Sequence, residues 1–242
     1  MSPSKVPDGI YAVYDDLTLS YWASKDPSII GIALVHKGHR FMIEKYEEMN
    51  RSYQQASAGK ASYSSFYWGE YFTDQSLDNY NMAVSNIDEG CLRDENGRYD
   101  SVPHLPYNIS EWGTGALSDW KGRSNSEILK TLTHGGGSGT MEYTQYATVG
   151  HVLNTFLSSS DAKGFDDWYI PSCAQLALIF MNLITINRAL SYIEGNPLHD
   201  DKMYWSSTEC NEMRSWEVFF TTGSLSDLDK IYGCNVRFIK DI

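Results

Sequence analysis

In the stretch SWEVFFT, Ser215 to Thr221, the residues Trp216, Val218 and Phe220 take every second position. Side chains along a strand alternate between its two faces, so this spacing describes a strand with one bulky apolar side. Ser215, Glu217, Phe219 and Thr221 then point the other way. Burying a large apolar side chain contributes roughly 1.5–3 kcal/mol, whereas a change on an exposed face usually moves stability by about ±0.5 kcal/mol. Folding is therefore assigned to one register of residues, and the other register is free to vary and to bind.

The rest of the chain supplies what that strand packs on. GIYAVY (Gly9–Tyr14) reads as a strand, and IIGIALV (Ile29–Val35), the turn HKGHR and FMIEKY read as a hairpin. From about Glu48 to Pro106 no period persists, which predicts irregular structure with short helices. SNSEILKTL carries Ser124 and Glu127 at the spacing of a capping box and predicts a helix. A second helix is expected from about Glu142 to Leu157, with Tyr146, Val149, Val152, Leu153 and Phe156 along one side. A third follows Pro171, capped by Ser172 with Gln175, and runs to about Ile193, where Gly195-Asn196-Pro197 stops it. Strands ahead of and behind a helical middle, with no repeat and no low-complexity linker, give one α+β domain over residues 1–242. Residues 1–116 form its β-rich and irregular part, and residues 117–242 its core.

A net charge of -12 argues against nucleic acid, whose phosphates call for Lys and Arg. No stretch approaches the roughly 20 apolar residues of a membrane span. The opening MSPSKVPDGIYAVY has no apolar signal core, which leaves a protein not exported by that route or a leader already removed. The 17 tyrosines and 7 tryptophans suit semi-buried sites or a recognition surface.

Signals for chemistry are thin. HGGGSGT (His134–Thr140) is followed by no Lys-Ser or Lys-Thr pair and forms no GxSxG elbow, so it reads as an interhelical connection. His36 and His39 sit on a turn with no third ligand, and Asp166-Asp167 and Asp200-Asp201 show no calcium-loop spacing. Cys91, Cys173, Cys210 and Cys234 make no zinc pattern; Cys173 reads as a buried thiol, and the geometry of neighbouring strands leaves a Cys210–Cys234 bridge open. No catalytic residue, metal site or cofactor is expected.

The series DWYIPS leading into a long helix, then YWSST, then W-x-V-x-F-x-x-G, then NVRF is more specific, and LSDWKGRSNSEIL (Leu117–Leu129) precedes it. From Leu117 to Ile242 this resembles the C-type lectin-like variable proteins of diversity-generating retroelements and related bacterial and phage ligand-binding domains. The resemblance implies two main helices on a short twisted antiparallel sheet, behind a β-rich N-terminal portion. It implies a non-catalytic adhesin or receptor-binding protein at a cell surface or on a virion, without fixing its oligomeric state. Glu194-Gly195-Asn196-Pro197 departs from the calcium-binding loop of sugar-binding lectins. Enzymes of the formylglycine-generating type share a related fold but need a cysteine pair, for which Cys210 and Cys234 are the candidates.

By the same resemblance, Trp205, Trp216, Val218, Phe220, Gly223, Val236 and Arg237 would be fixed. The ligand-binding positions would be Asn211, Arg214, Glu217, Phe219, Thr221, Ser224, Ser226, Asp227, Leu228, Asp229, Ile231, Tyr232 and Cys234. Adenine-directed mutation of an AAC codon reaches most of these residue types but not glutamate. Apolar anchors among charged groups suit a protein receptor better than a glycan.

Overall fold

The computed structural model describes residues 6–21, 25–46, 66–69, 116–131, 148–210 and 213–242. HGGGSGT, Cys91, Asn211 and the expected helical residues before Thr148 lie outside them.

The elements are β1 (Gly9–Tyr14), β2 (Leu19–Ser20), β3 (Ile29–His36), β4 (His39–Glu44), α1 (Gly122–Leu129), α2 (Val149–Leu157), α3 (Cys173–Met181), α4 (Leu183–Tyr192), β5 (Met203–Glu209), β6 (Arg214–Phe219), β7 (Ser224–Asp229) and β8 (Ile239–Asp241). The strands form a five-stranded sheet ordered β2-β1-β3-β4-β8 and a three-stranded sheet ordered β5-β6-β7. Every named strand pair is antiparallel, so the molecule is α+β.

The expected hairpin is β3–β4. Its two-residue turn takes positive φ at Lys37 (45°) and Gly38 (91°), the twist that lets paired strands turn tightly. β8 then pairs Phe41 with Asp241 and Ile43 with Ile239, so the C-terminal segment completes a sheet begun at the N-terminus.

Helix boundaries match the sequence where a cap is local and depart from it where tertiary contacts decide. The Ser172/Gln175 capping box forms as expected. The Ser124/Glu127 box does not: α1 starts three residues earlier, with Lys121 in the cap position, Ser124 donates back to the Lys121 carbonyl, and Glu127 pairs with Lys130. What sets the start is Gly122, where an added Cβ would fall 2.3 Å from Gln175 Oε1 and 2.8 Å from the Ser172 nitrogen. The long third helix breaks at Asn182, turning 77° between α3 and α4. The Asn182 side chain donates to the Leu178 carbonyl at 2.9 Å while its own backbone leaves helical values. Among the described residues no single helix is long and apolar enough to cross a membrane.

The segments that carry the family resemblance meet in one buried polar network. The Asp119 carboxylate, 2% exposed, accepts from the Lys121 nitrogen at 2.9 Å, Asn125 Nδ2 at 3.0 Å and Thr208 Oγ1 at 2.7 Å. Thr208 Oγ1 accepts in turn from the Cys173 nitrogen at 2.8 Å, and Ser172 Oγ donates to the Asp119 carbonyl at 2.6 Å. DWKGRSN, IPSC and YWSST are thereby fastened together, with each buried polar group given a partner.

Candidate functional site at the edge of the C-terminal sheet

The three-stranded sheet has a core on both sides. Tyr204, Trp216, Val218, Phe220 and Leu225 pack with Leu176, Leu178, Ile179 and other residues of α3 and α4. Trp205 faces the other way, with Phe66, Trp68, Cys234, Val236 and Phe238. The cover on that second side is the stretch Phe66–Trp68. Trp205 Nε1 donates to the Phe66 carbonyl at 2.8 Å and Trp68 Nε1 to the Ser206 carbonyl at 2.6 Å. Backbone bonds from Phe66 to Cys234 and from Trp68 to Lys230 tie the same stretch to the residues after β7. Beneath it lies a fully buried ion pair of Lys230 with Glu209, the Lys230 ammonium sitting 5.0 Å from the Trp68 ring centre.

All seven positions expected to be fixed are inside. Trp205, Trp216, Val218, Phe220, Val236 and Arg237 are at most 3% exposed, and Gly223 is buried at the β6–β7 turn. Gly223 has φ of +75°, and a Cβ there would fall 2.2 Å from the Phe180 ring, so the turn is locked against α3. Trp205 nevertheless packs on the opposite face from Trp216.

The expected ligand-binding positions divide three ways. Glu217 and Cys234 are each 1% exposed, which corrects their assignment to an outward face. The reason is the Phe66–Trp68 cover: alternation placed Glu217 opposite Trp216 correctly, but that side of β6 is roofed. Burial pushes the Glu217 carboxyl up to about 7 against an opposing hydrogen bond from Ser226, and its second oxygen has no hydrogen-bond partner among the described residues. Burial and then the Glu217 charge hold the Cys234 thiol well above its usual range.

Arg214, Asp227 and Asp229 share the Trp216 side of the sheet, since the register opposes Arg214 to Asp229 and Trp216 to Asp227. Arg214 Nε donates to Asp229 Oδ1 at 3.0 Å and its Nη1 to Asp227 Oδ2 at 3.2 Å. Cys210 lies against Asp227, and burial followed by that carboxylate pushes its thiol up to about 12. Phe219, Ser224, Ser226 and Leu228 belong to the other side and are half-buried, Leu228 leaning on the core there. Thr221 is exposed in the turn, Ile231 is half-buried, and Tyr232 is 54% exposed just past β7. The positions therefore do not make one flat face. They line both flanks of β7, the edge strand of its sheet, and the turns at its two ends.

Cys173, Cys210 and Cys234 are free thiols, with Cys210 in the helix-side core and Cys234 in the core across the sheet. The Cys210–Cys234 bridge is not formed, since the two thiols lie in separate cores on opposite sides of the sheet. Thiols held protonated are poor nucleophiles and poor metal ligands. Among the described residues no group of three or more His, Cys, Asp and Glu is placed to hold a metal ion. His39 stacks on Trp120 with ring centres 3.4 Å apart, and Asp167 is paired with Lys240.

No family model matches the chain, and no curated protein matches it either. Among solved structures it resembles a fimbrial protein from Bacteroides ovatus ATCC 8483, with 16% sequence identity and a TM-score of 0.55. The match covers 98% of this chain and 49% of that one, so the chain spans about half the length of the fimbrial structure. At that identity the likeness is one of fold.

Proposed function

We propose that this chain is a non-catalytic, surface-displayed ligand-binding protein with a C-type lectin-like core. Its contact region is the β7 edge with the turns on either side, and its partner is a protein receptor on a cell or particle surface. The observation that carries this reading is the split in burial. Every position expected to hold the scaffold is inside, while Phe219, Thr221, Ser224, Ser226, Asp229, Ile231 and Tyr232 reach solvent in whole or in part. Apolar anchors at Phe219, Ile231 and Tyr232, with Arg214, Asp227 and Asp229 alongside, have the mixed character of protein interfaces. A fold neighbour among fimbrial proteins suits an adhesive role at a bacterial surface. The narrower reading, a variable protein of a diversity-generating retroelement, rests on the DWYIPS–YWSST–NVRF motif series.

The test is adherence of the chain displayed on a bacterial cell to a panel of purified surface proteins and intact cells. Wild type is compared with the triple variant Phe219→Ala, Asp229→Ala, Tyr232→Ala. Adherence should fall roughly tenfold or more, as for interface anchors, with the melting temperature nearly unchanged. Equal adherence by the variant, or none by wild type, would count against the assignment. For the narrower reading, the gene should lie beside a reverse transcriptase and a near copy of its own 3′ coding end.

A further inference from the structure

Strand β7 turns a row of backbone groups away from its sheet. The Lys230 nitrogen, just past the end of β7, donates at 2.9 Å to the carbonyl of Met213, just before β6. Antiparallel partners alternate between bonded and unbonded rungs. Carried back through the unbroken register of β6 and β7, that bond assigns Ser224, Ser226 and Leu228 to β6. The N–H and C=O groups of Leu225, Asp227 and Asp229 therefore point outward. β6 has the matching phase, since Arg214 and Phe220 bond on its other side, to Cys210 and Lys202. Among the described residues no strand lies beyond β7. Of the outward groups, the Asp229 carbonyl alone has a backbone partner there, the Tyr232 nitrogen at 2.8 Å.

This edge is ill suited to a second copy of the chain. Antiparallel pairing that engages all three outward residues sets Asp227 against the same residue of the other copy, and like charges directly opposite are destabilising. Arg214 serves both carboxylates of that flank, Asp229 at 3.0 Å and Asp227 at 3.2 Å, which leaves the flank acidic on a chain of net charge -12. The other flank offers Phe219 and Leu228, both half-buried.

We propose that β7 accepts an added strand: an extended segment of the partner in which basic and apolar side chains alternate. This rests on the reading of the β7 edge as the contact region and specifies what binds there. Backbone hydrogen bonds to Leu225, Asp227 and Asp229 hold the segment in register. Side chains directly opposite share a flank, so the basic ones meet Asp227 and Asp229 while the apolar ones lie over Leu228 and Phe219.

Amide hydrogen exchange of the full chain, followed by NMR with and without a synthetic peptide of alternating Lys and Val, tests this. In the free chain the amides of Asp227 and Asp229 should exchange fast and those of Ser226 and Leu228 slowly. Saturating peptide should slow the first pair roughly tenfold or more, as hydrogen-bonded amides are protected. Methyl groups on the Lys backbone nitrogens, which face β7, should abolish the slowing, and methyl groups on the Val nitrogens should not. Outward amides already slow in the free chain would overturn the proposal, as would slowing that grows with chain concentration alone, the mark of self-pairing. So would no effect of the peptide, or an equal effect of its Lys-methylated form or of alternating Glu and Val. The adherence test reads the contact region separately: adherence lost in the triple variant alongside any of these results would remove strand addition and leave the β7 edge as the site.

Discussion

On the rung Trp205–Glu217–Ser226 the Glu217 carboxyl is shut in beneath Phe66–Trp68, and its pKa lies at about 7 instead of the usual 4.5. A raised carboxyl pKa means that the folded state prefers the protonated form. The native state is therefore at no disadvantage from this group below about pH 4.5 and loses stability as pH climbs from there to about 7, above which the loss is constant. The shift corresponds to roughly 3 kcal/mol at full ionisation. Glu217→Gln, which stays neutral, should accordingly melt higher than wild type at pH 8 and about equally at pH 4.5. Thermal melts at the two pH values, with wild type and variant indistinguishable at both, would show that the carboxyl ionises freely. The same residue marks where alternation stops being informative. Period two in SWEVFFT separates two faces correctly, but it carries no information about what lies over the second one. The roof comes from FYW at residues 66–68, more than a hundred residues upstream and with no pattern to link it to β6.

Elements were legible where their determinants are local. The Ser172/Gln175 box and the β3–β4 hairpin each depend on a few consecutive residues, and both stand as expected. The Ser124/Glu127 signal failed because α1 answers to Gly122 lying against Ser172 and Gln175, contacts that sequence spacing does not encode. The bend at Asn182 was hidden inside an unbroken apolar pattern, since both α3 and α4 have buried faces. The motifs pointed to the right places without saying why: they meet at Asp119, whose carboxylate takes three hydrogen bonds. Asp119→Ala should then destabilise by about 3 kcal/mol or more, because hydrogen bonds to a charged group are the stronger kind and Asn125 and Thr208 lose a buried partner. Chemical denaturation measures this. A loss within about 0.5 kcal/mol, the range of ordinary surface changes, would remove Asp119 from the role of hub.

For the molecule as a whole, the α+β class was readable from strands flanking a helical middle. The candidate site was readable as a segment, though not as an edge with two flanks. What the sequence did not show is that the β-rich N-terminal portion and the C-terminal segment share a sheet, because β8 inserts beside β4 and its three residues are too few to show a period. Tyr169 also exchanges backbone bonds with Ile239, and Lys240 pairs with Asp167. Removing Ile239–Ile242 should therefore abolish the sharp unfolding transition of the whole chain, far beyond trimming one edge. A truncated chain that still melts in a single cooperative step near the wild-type temperature would mean that β8 is dispensable.

Pairing across two hundred positions also dictates an order of events during synthesis. β1, β3 and β4 leave the ribosome about two hundred residues before the strand that pairs with β4. Until it arrives the nascent polypeptide holds an uncovered sheet margin in the open, where stray strands compete to fill it. For a protein whose proposed place is outside the cell, that delay is time in which a chaperone can keep it threadable.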